Sequence, residues 1–405
     1  MDFDYSNINL PVKEVIPNIK KELNSSSTLI LKAPTGAGKS TLVPLTLLNE
    51  SWLNGKKILM LEPRRLAAKT VAIRMADLLD EPIGETIGYK IRFDNKTGKS
   101  TRLEVLTEGI LTRMIQEDNS LEDIGLVIFD EFHERSIHAD LAMALCRELQ
   151  SIIRQDLRIL VMSATLDIPK LSEILQAPII ESKGKLFPVE VIYSGDTDAK
   201  MLPELISRLI KIAVEKHDGD TLAFLPGQGE IKKCEAILKN LLKGFEIHPL
   251  YGQLPPNKQF AAIRPSKKGK RKIVLSTNIA ETSLTIEGIK IVVDSGFERI
   301  SKFNPNSGLS RLETVHISKQ SADQRKGRAG RLSPGICYRM WTKATHSQLA
   351  EIGIPEIEQA DLSSLMLDIA KWGIIDPNEL SWLSIPPRKN VIKANQLLHE
   401  IDALE

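Results

Sequence analysis

Cysteine is scarce: Cys146, Cys234 and Cys337 stand far apart and are odd in number. No CxxC pair exists, so a structural zinc site or a disulfide framework has no support. That usage suits a reducing cytosol, and the expected compartment is cytoplasmic. Aromatics make up 5% of the chain, which argues against a surface of repeated stacking platforms. No stretch reaches the ~18 apolar residues of a membrane span. The N-terminal MDFDYSNINLPVKEV is acidic and lacks a long apolar run, so it does not read as a signal peptide. A membrane partner is not expected. Neither sign of charge dominates: 54 basic residues face 52 acidic ones, which leaves open a basic groove on a nearly neutral protein.

What is present is a large apolar fraction. Hydrophobic residues are 42% of 405, enough for two or three cored domains. The apolar runs TLILKAP, KKILMLEP, LEVLTEG, LVIFDE and RILVMSAT alternate with segments of helical spacing such as RLAAKTVAIRMADLLDE. Runs this continuous suit strands buried on both faces of a parallel sheet, so residues 1–178 read as a doubly wound α/β domain. Residues 174–198, with Pro178, Gly184 and Pro188, read as a linker. The alternation restarts with TLAFLPG, FEIHPLYG, KIVLSTN, KIVVDSG and ICYRMW, giving a second α/β domain over 179–341. Residues 342–405 are mostly helical by amphipathic spacing and read as a partial third domain.

APTGAGKST, residues 33–41, follows a buried strand and opens a helix, the context of a P-loop. Thr35, Gly36, Ala37, Gly38, Lys39, Ser40 and Thr41 are the expected phosphate cradle. Gly36 and Gly38 allow backbone N–H groups to turn toward phosphate, Lys39 reaches the β- and γ-phosphates, and Ser40 ligates magnesium. ATP and Mg²⁺ are the expected cofactors. The nonapeptide DEFHERSIH, residues 130–138, is ambiguous in isolation. A zinc helix needs two histidines four apart. His133 and His138 are five apart, which turns their rings about 140° away from each other on a helix. The preceding buried strand instead fits an acidic strand end, with Asp130 on magnesium and Glu131 orienting and deprotonating the attacking water. QRKGRAGR, residues 324–331, interleaves four basic residues with glycine. It reads either as a solvated helix start or as a source of arginine fingers, Arg328 and Arg331, projecting to a γ-phosphate. The complete P-loop favours the second.

In order, GAGKST, EPRRLAA, TEG, DEFH, SAT, FLPGQGEI, STNIAETSLTI and QRKGRAGR resemble the superfamily 2 helicases of the DEAH/RHA branch, over about residues 25–340. Residues 293–331 are most like the bacterial HrpB-type ATP-dependent helicases. That family is roughly twice this length, so the resemblance is to its N-terminal half, ending inside a winged-helix domain. It implies two tandem RecA-like domains, phosphate and magnesium binding by Lys39 and Ser40, and carboxylate chemistry at Asp130 and Glu131. His133 and Ser163 are then expected to link the nucleotide to the second domain. The resemblance also implies Gln324 near the γ-phosphate and lytic water with Arg328 and Arg331 as fingers, Arg74 stacking on the base and Glu287 near the ribose. The sequence departs from the family at Phe132, where the name motif has alanine, and at Ile263, where an aromatic is usual.

A translocase grips backbone and not sequence. The expected nucleic-acid contacts are Arg64 and Arg65 after a strand, Thr107, Glu108 and Gly109 of TEG, and Arg92, in a segment resembling the family's hook turn. In the second domain they are Gly227 and Gln228 of GQG, and Thr277 and Asn278 of TNIAET. The basic run 264–272 reads as a solvated loop. Residues 298–317 read as a hairpin turning at 304–308, with Phe303 as its aromatic. The expected partner is single-stranded nucleic acid, RNA above DNA, engaged by a monomer that moves 3′→5′ through alternating closure of its two domains. Ribonucleoprotein remodelling without processive unwinding, and a DNA-directed helicase, stay open. A GTPase is disfavoured because NKTG lacks the aspartate of a guanine reader. A P-loop kinase is disfavoured because it gives QRKGRAGR no purpose.

Overall fold

The computed structural model describes residues 3–164, 168–184, 187–266, 269–282 and 284–404. The chain divides into two compact units. One comprises Met1–Gly184, Ser301–Arg311 and Ile354–Glu405; the other comprises Lys185–Ile300 and Leu312–Gly353.

The first unit is built on eight strands: β1 (Thr28–Lys32), β2 (Lys57–Glu62), β3 (Ile87–Ile91), β4 (Asp94–Lys96), β5 (Leu103–Thr107), β6 (Ile124–Phe129), β7 (Arg158–Ser163) and β8 (Ile179–Glu181). Their order is β4-β3-β5-β2-β6-β7-β1-β8, parallel except for β4 against β3. Alternate side chains leave opposite faces of a strand. Accordingly Leu29, Leu31, Ile58, Met60, Leu126 and Ile128 join one apolar cluster with helices Ile16–Ser25, Lys39–Leu47 and Arg65–Leu78. Ile30, Leu59, Leu61, Val127 and Phe129 join the other, with helices Glu108–Glu117 and Ile137–Ile152. Each such side chain contributes about 1.5–3 kcal/mol on burial, which is why the runs tolerate so little polarity.

That second cluster also takes in Leu365, Met366 and Ile369 of helix Ser363–Lys371 and Ala394 and Leu398 of helix Arg388–Glu400. The residues after Ile354 therefore share this unit's core, whereas their sequence suggested a segment with little core of its own.

The second unit has six parallel strands, β9 (Val189–Tyr193), β10 (Asp220–Phe224), β11 (Phe245–Leu250), β12 (Arg271–Ser276), β13 (Ile289–Asp294) and, after a hairpin, β16 (Gly335–Arg339). Their order is β11-β12-β10-β13-β16-β9. The hairpin is β14 (Phe297–Asn304) and β15 (Leu309–His316). Gly308, at φ 67°, makes the tight reversal, its N–H donating to the Asn304 carbonyl. Phe303 is not an exposed tip residue: it is buried, and its N–H donates to the Gln359 carbonyl.

Two expectations are corrected. The supposed linker contains β8 and β9, each an edge strand of its own sheet. Pro178 and Pro188 precede these strands, where a missing N–H costs no ladder bond. The basic run 264–272 is not a wholly solvated loop. Lys267 and Lys268 lie outside the described residues, but Lys272 is buried, its ammonium capping the carbonyls of Ala262 and Arg264 at 3.3 and 2.6 Å. Arg271 likewise donates to the carbonyls of Val214, His217 and Gly219. Among the described residues no helix is long and apolar enough to cross a membrane.

Candidate active site and nucleic-acid loops

The loop after β1 is shaped by two left-handed glycines, Gly36 at φ 85° and Gly38 at φ 91°, a region that side chains strain to adopt. Space around Gly36 is open, while a Cβ on Gly38 would meet Leu10 Cδ1 at 2.7 Å. Val12 donates its N–H to the Ala37 carbonyl at 3.1 Å, so residues 10–12 strap the loop from outside. Ala33, which stands where a glycine is usual, is fully buried and donates its N–H to the Ser163 carbonyl, a position with room for a methyl group. Helix Lys39–Leu47 begins immediately after Gly38.

Lys39 is buried and its ammonium lies 2.6 Å from Glu131 Oε1 and 3.7 Å from Asp130 Oδ1. Burial alone would lower its pKa, but Asp130, then Glu131, outweigh that and hold it at about 12. Asp130 accepts the Glu131 N–H through Oδ1 at 2.8 Å and is hydrogen-bonded by the Ser40 hydroxyl. Burial, with Glu131 adding, still raises its pKa. Its Oδ2 is buried without a hydrogen-bond partner among the described residues. A third carboxyl completes the group. Glu62, the last residue of β2, is fully buried, and burial followed by the charges of Asp130 and Glu131 raises its pKa well above the usual range.

The segment after β6 is a turn and not a metal-binding helix. Phe132–Glu134 form a single 3-10 turn flanked by Glu131 at φ 49° and Arg135 at φ 50°, both left-handed and neither glycine. Such residues cost roughly 1–2 kcal/mol each. Phe132 is the anchor that holds the turn down: it is buried and meets Phe129 edge to face at 5.7 Å. The departure from the family pattern is thus a core residue. His133 is buried, with Nδ1 3.5 Å from Glu131 Oε2 and neither ring nitrogen hydrogen-bonded among the described residues. His138 sits on the separate helix Ile137–Ile152. Among the described residues no group of three or more His, Cys, Asp or Glu side chains could hold a metal. Ser163 is buried, its hydroxyl without a hydrogen-bond partner among the described residues, while Thr165 of SAT lies outside them.

The expected strand-gripping residues of this unit fall into two groups. Arg65, Arg92 and Gly109 are exposed, and Thr107 ends β5 half-buried. Arg92 lies over the ring of Phe93, 4.8 Å from its centre; Phe93 is 89% exposed, on a left-handed residue. The other group is already engaged within the protein. The Arg64 guanidinium donates to both oxygens of Glu134, at 3.3 and 3.0 Å. Glu108, expected at the strand, is buried and takes a short hydrogen bond from the Ser136 hydroxyl; burial first, then nearby Glu134, Glu356 and Asp140, raise its pKa to about 8. Arg74 is exposed on helix Arg65–Leu78.

In the second unit Gln228 opens helix Gln228–Leu241 and donates to the Tyr251 hydroxyl, while Gly227 is buried under the Arg299 guanidinium. Thr277 and Asn278 are half-buried after β12. Glu287 is exposed, and Ile263 ends helix Pro256–Ile263. Gln324 is half-buried on helix Lys319–Gly327. Arg328 does not project outward. It is buried and donates to the carbonyls of Glu281, Thr282 and Leu284. Arg331 is half-buried and donates to the Thr285 hydroxyl at 2.8 Å. Arg325, in the last turn of helix Lys319–Gly327, forms a buried pair with Glu281 at 2.8 Å and Asp294 at 2.9 Å.

Leu10, Val12, Glu62, Phe93 and Arg325 escaped the sequence reading. Glu62 carried a usable signal: KILMLE is a buried strand closed by an acid, the same signature as LVIFDE.

The DEAD/DEAH box helicase family matches residues 12–174, and the helicase conserved C-terminal domain matches residues 201–333. The ATP-dependent RNA helicase HrpB of Escherichia coli (strain K12) is 48% identical over 398 residues, covering 98% of this chain and 49% of that protein. The ATP-dependent RNA helicase HrpA of Borreliella burgdorferi is 36% identical over 401 residues, again 98% of this chain and 49% of the other. The crystal structure of Escherichia coli DEAH/RHA helicase HrpB superposes with a TM-score of 0.93 at 47% identity, covering 98% of this chain and 51% of that one. The chain thus spans about half the length of these relatives. Two helicase domains in tandem and likeness along almost all its residues place the chain in the DEAD/DEAH box helicases.

Proposed function

We propose that the chain is an ATP-hydrolysing motor that moves 3′→5′ on single-stranded RNA. The observation that carries this reading is the buried set beneath the glycine loop: Lys39 within 2.6 Å of Glu131 and 3.7 Å of Asp130. An ammonium and two carboxylates converge where phosphates would enter. ATP phosphate is the competitor that draws Lys39 away, since it offers the ammonium a denser negative charge. Glu131 is then available as the base toward a water molecule. Backbone N–H groups of residues 36–40 and the helix start complete the cradle.

Magnesium fits the donors present. Ser40 and Asp130 are hard oxygen ligands side by side, and Asp130 Oδ2 is a buried acceptor with nothing to accept from among the described residues. When bound, the ion neutralises phosphate charge. His133 and Ser163, whose polar side-chain atoms have no hydrogen-bond partner among the described residues, are the proposed sensors of nucleotide state. The second unit supplies positive charge to the γ-phosphate in this proposal, with Gln324 near the water. Arg331 is half-buried and reaches the Leu284 and Thr282 carbonyls only at 3.4 and 3.5 Å beside its 2.8 Å bond to the Thr285 hydroxyl, so it exchanges partners at lower cost than the buried Arg328. Arg331 is therefore the principal finger, and Arg328 supports it by holding the same two carbonyls.

The test is ATP hydrolysis with and without single-stranded RNA or DNA, together with strand displacement. RNA stimulation that falls about 10³-fold in Arg331→Ala and about 10²–10⁴-fold in Glu131→Gln is expected. Full activity in both variants overturns the assignment. Stimulation by DNA alone redirects it to a DNA helicase, and hydrolysis without displacement to a remodeller.

A further inference from the structure

The residues just beyond the acidic pair touch the loops expected to hold the strand. Glu134 pairs with Arg64 after β2, through both carboxylate oxygens. Ser136 hydrogen-bonds Glu108 after β5. The His138 ring lies 3.7 Å from where a Cβ on Gly109 would be. At its other end the same segment holds Lys39 through Glu131. Eight residues, Glu131 to His138, thus run from Lys39 to the two loops expected to hold the strand.

The connection is short and stiff. Glu134 donates its N–H to the Glu131 carbonyl at 2.9 Å, and Arg135 donates to Phe132. The turn so closed lies between two left-handed residues, Glu131 and Arg135. Beyond it, Arg135 is pinned to Asp140 by two 3.0 Å bonds, and its carbonyl accepts the Glu356 N–H. A turn strained at both ends and fastened by ion pairs has discrete arrangements and does not deform smoothly, and removing one fastening shifts the balance between them.

We infer that Glu134 is a positioning residue that couples strand binding to the general base, by competing with a backbone phosphate for Arg64. This rests on the RNA-stimulated ATPase reading above. With no strand bound, Arg64 belongs to Glu134 and the turn is fastened. A phosphate diester offers the guanidinium an equivalent bidentate partner. Once Arg64 moves to it, the Glu134 end of the turn is released, and the change reaches Glu131 through a single hydrogen-bonded 3-10 turn. The strand's arrival and the freeing of the base become one equilibrium, because the same arginine cannot satisfy both anions.

The test uses Glu134→Gln, which keeps the shape and removes the charge. Affinity for an unstructured oligouridylate is measured without nucleotide, and hydrolysis is measured with and without that oligomer. Release of Arg64 from a partly exposed pair predicts binding about 2- to 5-fold tighter. It also predicts a raised basal rate and a smaller stimulation ratio. A purely structural role would lower the melting temperature and leave the stimulation ratio alone. Glu134→Asp, which keeps the charge on a shorter arm, is expected between the two. In an Arg64→Ala background, Glu134→Gln should change neither the affinity nor the ratio further. Stimulation of the unsubstituted chain together with unchanged affinity and ratio in Glu134→Gln overturns this coupling alone. Absence of any RNA stimulation in the unsubstituted chain overturns the ATPase reading and this one with it.

Discussion

The two units end their sheets on buried charge of different balance. In the first, Glu62, Asp130 and Glu131 crowd around Lys39 as the single cation of the set. Burial and mutual repulsion raise the pKa of Glu62 and Asp130. In the second, Arg325 lies between Glu281 and Asp294 and over the face of Phe224, and Arg328 satisfies three carbonyls. There burial opposes the arginine's charge, but Asp294 and Glu281 more than restore it. One site carries a surplus of acid over its one cation, Lys39; the other is closed on itself. The first is the one whose charge an added cation would balance. In the second, Arg328 holds the carbonyls of Glu281, Thr282 and Leu284, with Arg331 on the Thr285 hydroxyl.

That contrast can be broken by removing one charge on each side. Glu131→Gln should cost the largest factor in hydrolysis, about 10²–10⁴, yet leave thermal stability level or raised, because it relieves acid surplus. Arg325→Met should do the reverse. It strands two buried carboxyls, an effect of about 3–5 kcal/mol, read as a marked loss of melting temperature; an unchanged melt would show that the second site is not closed. Phe132→Ala removes the ring that packs on Phe129 and should destabilise the first unit by about 3 kcal/mol. Denaturant unfolding measures this, and catalytic loss well beyond the stability loss would mark the ring as a lever on Glu131.

A separate test sharpens the contrast by pH. Glu108 keeps its proton in the folded chain up to about 8, whereas unfolded it ionises near 4.5. The native state therefore binds the extra proton between those values, and stability falls as pH rises through that window. Glu108→Gln should flatten the slope of melting temperature between pH 5 and 8, values spanning about that window. An unaltered slope would place the titrating group elsewhere.

Much of this was legible because the signals are local. A glycine loop between a buried strand and a helix, and an acid at a strand's end, are short-range patterns, and both appear where expected. The binary alternation of Leu29 to Leu31 or Ile58 to Leu61 across two faces follows from the same logic. What escaped reading depended on distant partners. Nothing near Phe132 announces Phe129 as its edge-to-face neighbour, because a core contact has no spacing rule. Arg328 reads as a finger by motif but is bound by carbonyls more than forty residues away in the chain. Arg64 and Glu134 are likewise seventy residues apart. The strands in the supposed linker were masked by prolines, which mark breaks in most contexts and here only mark strand starts.

The strap of Leu10 over Gly38 and Val12 on Ala37 has a consequence for affinity. A glycine loop free to wander would lose conformational entropy each time it closed on phosphate. Ordering a backbone residue costs about 1–2 kcal/mol. Held from outside by a leucine and one hydrogen bond, the loop is ordered when the chain folds. In the proposed ATPase that ordering would not have to be repeated at each binding event, which favours affinity.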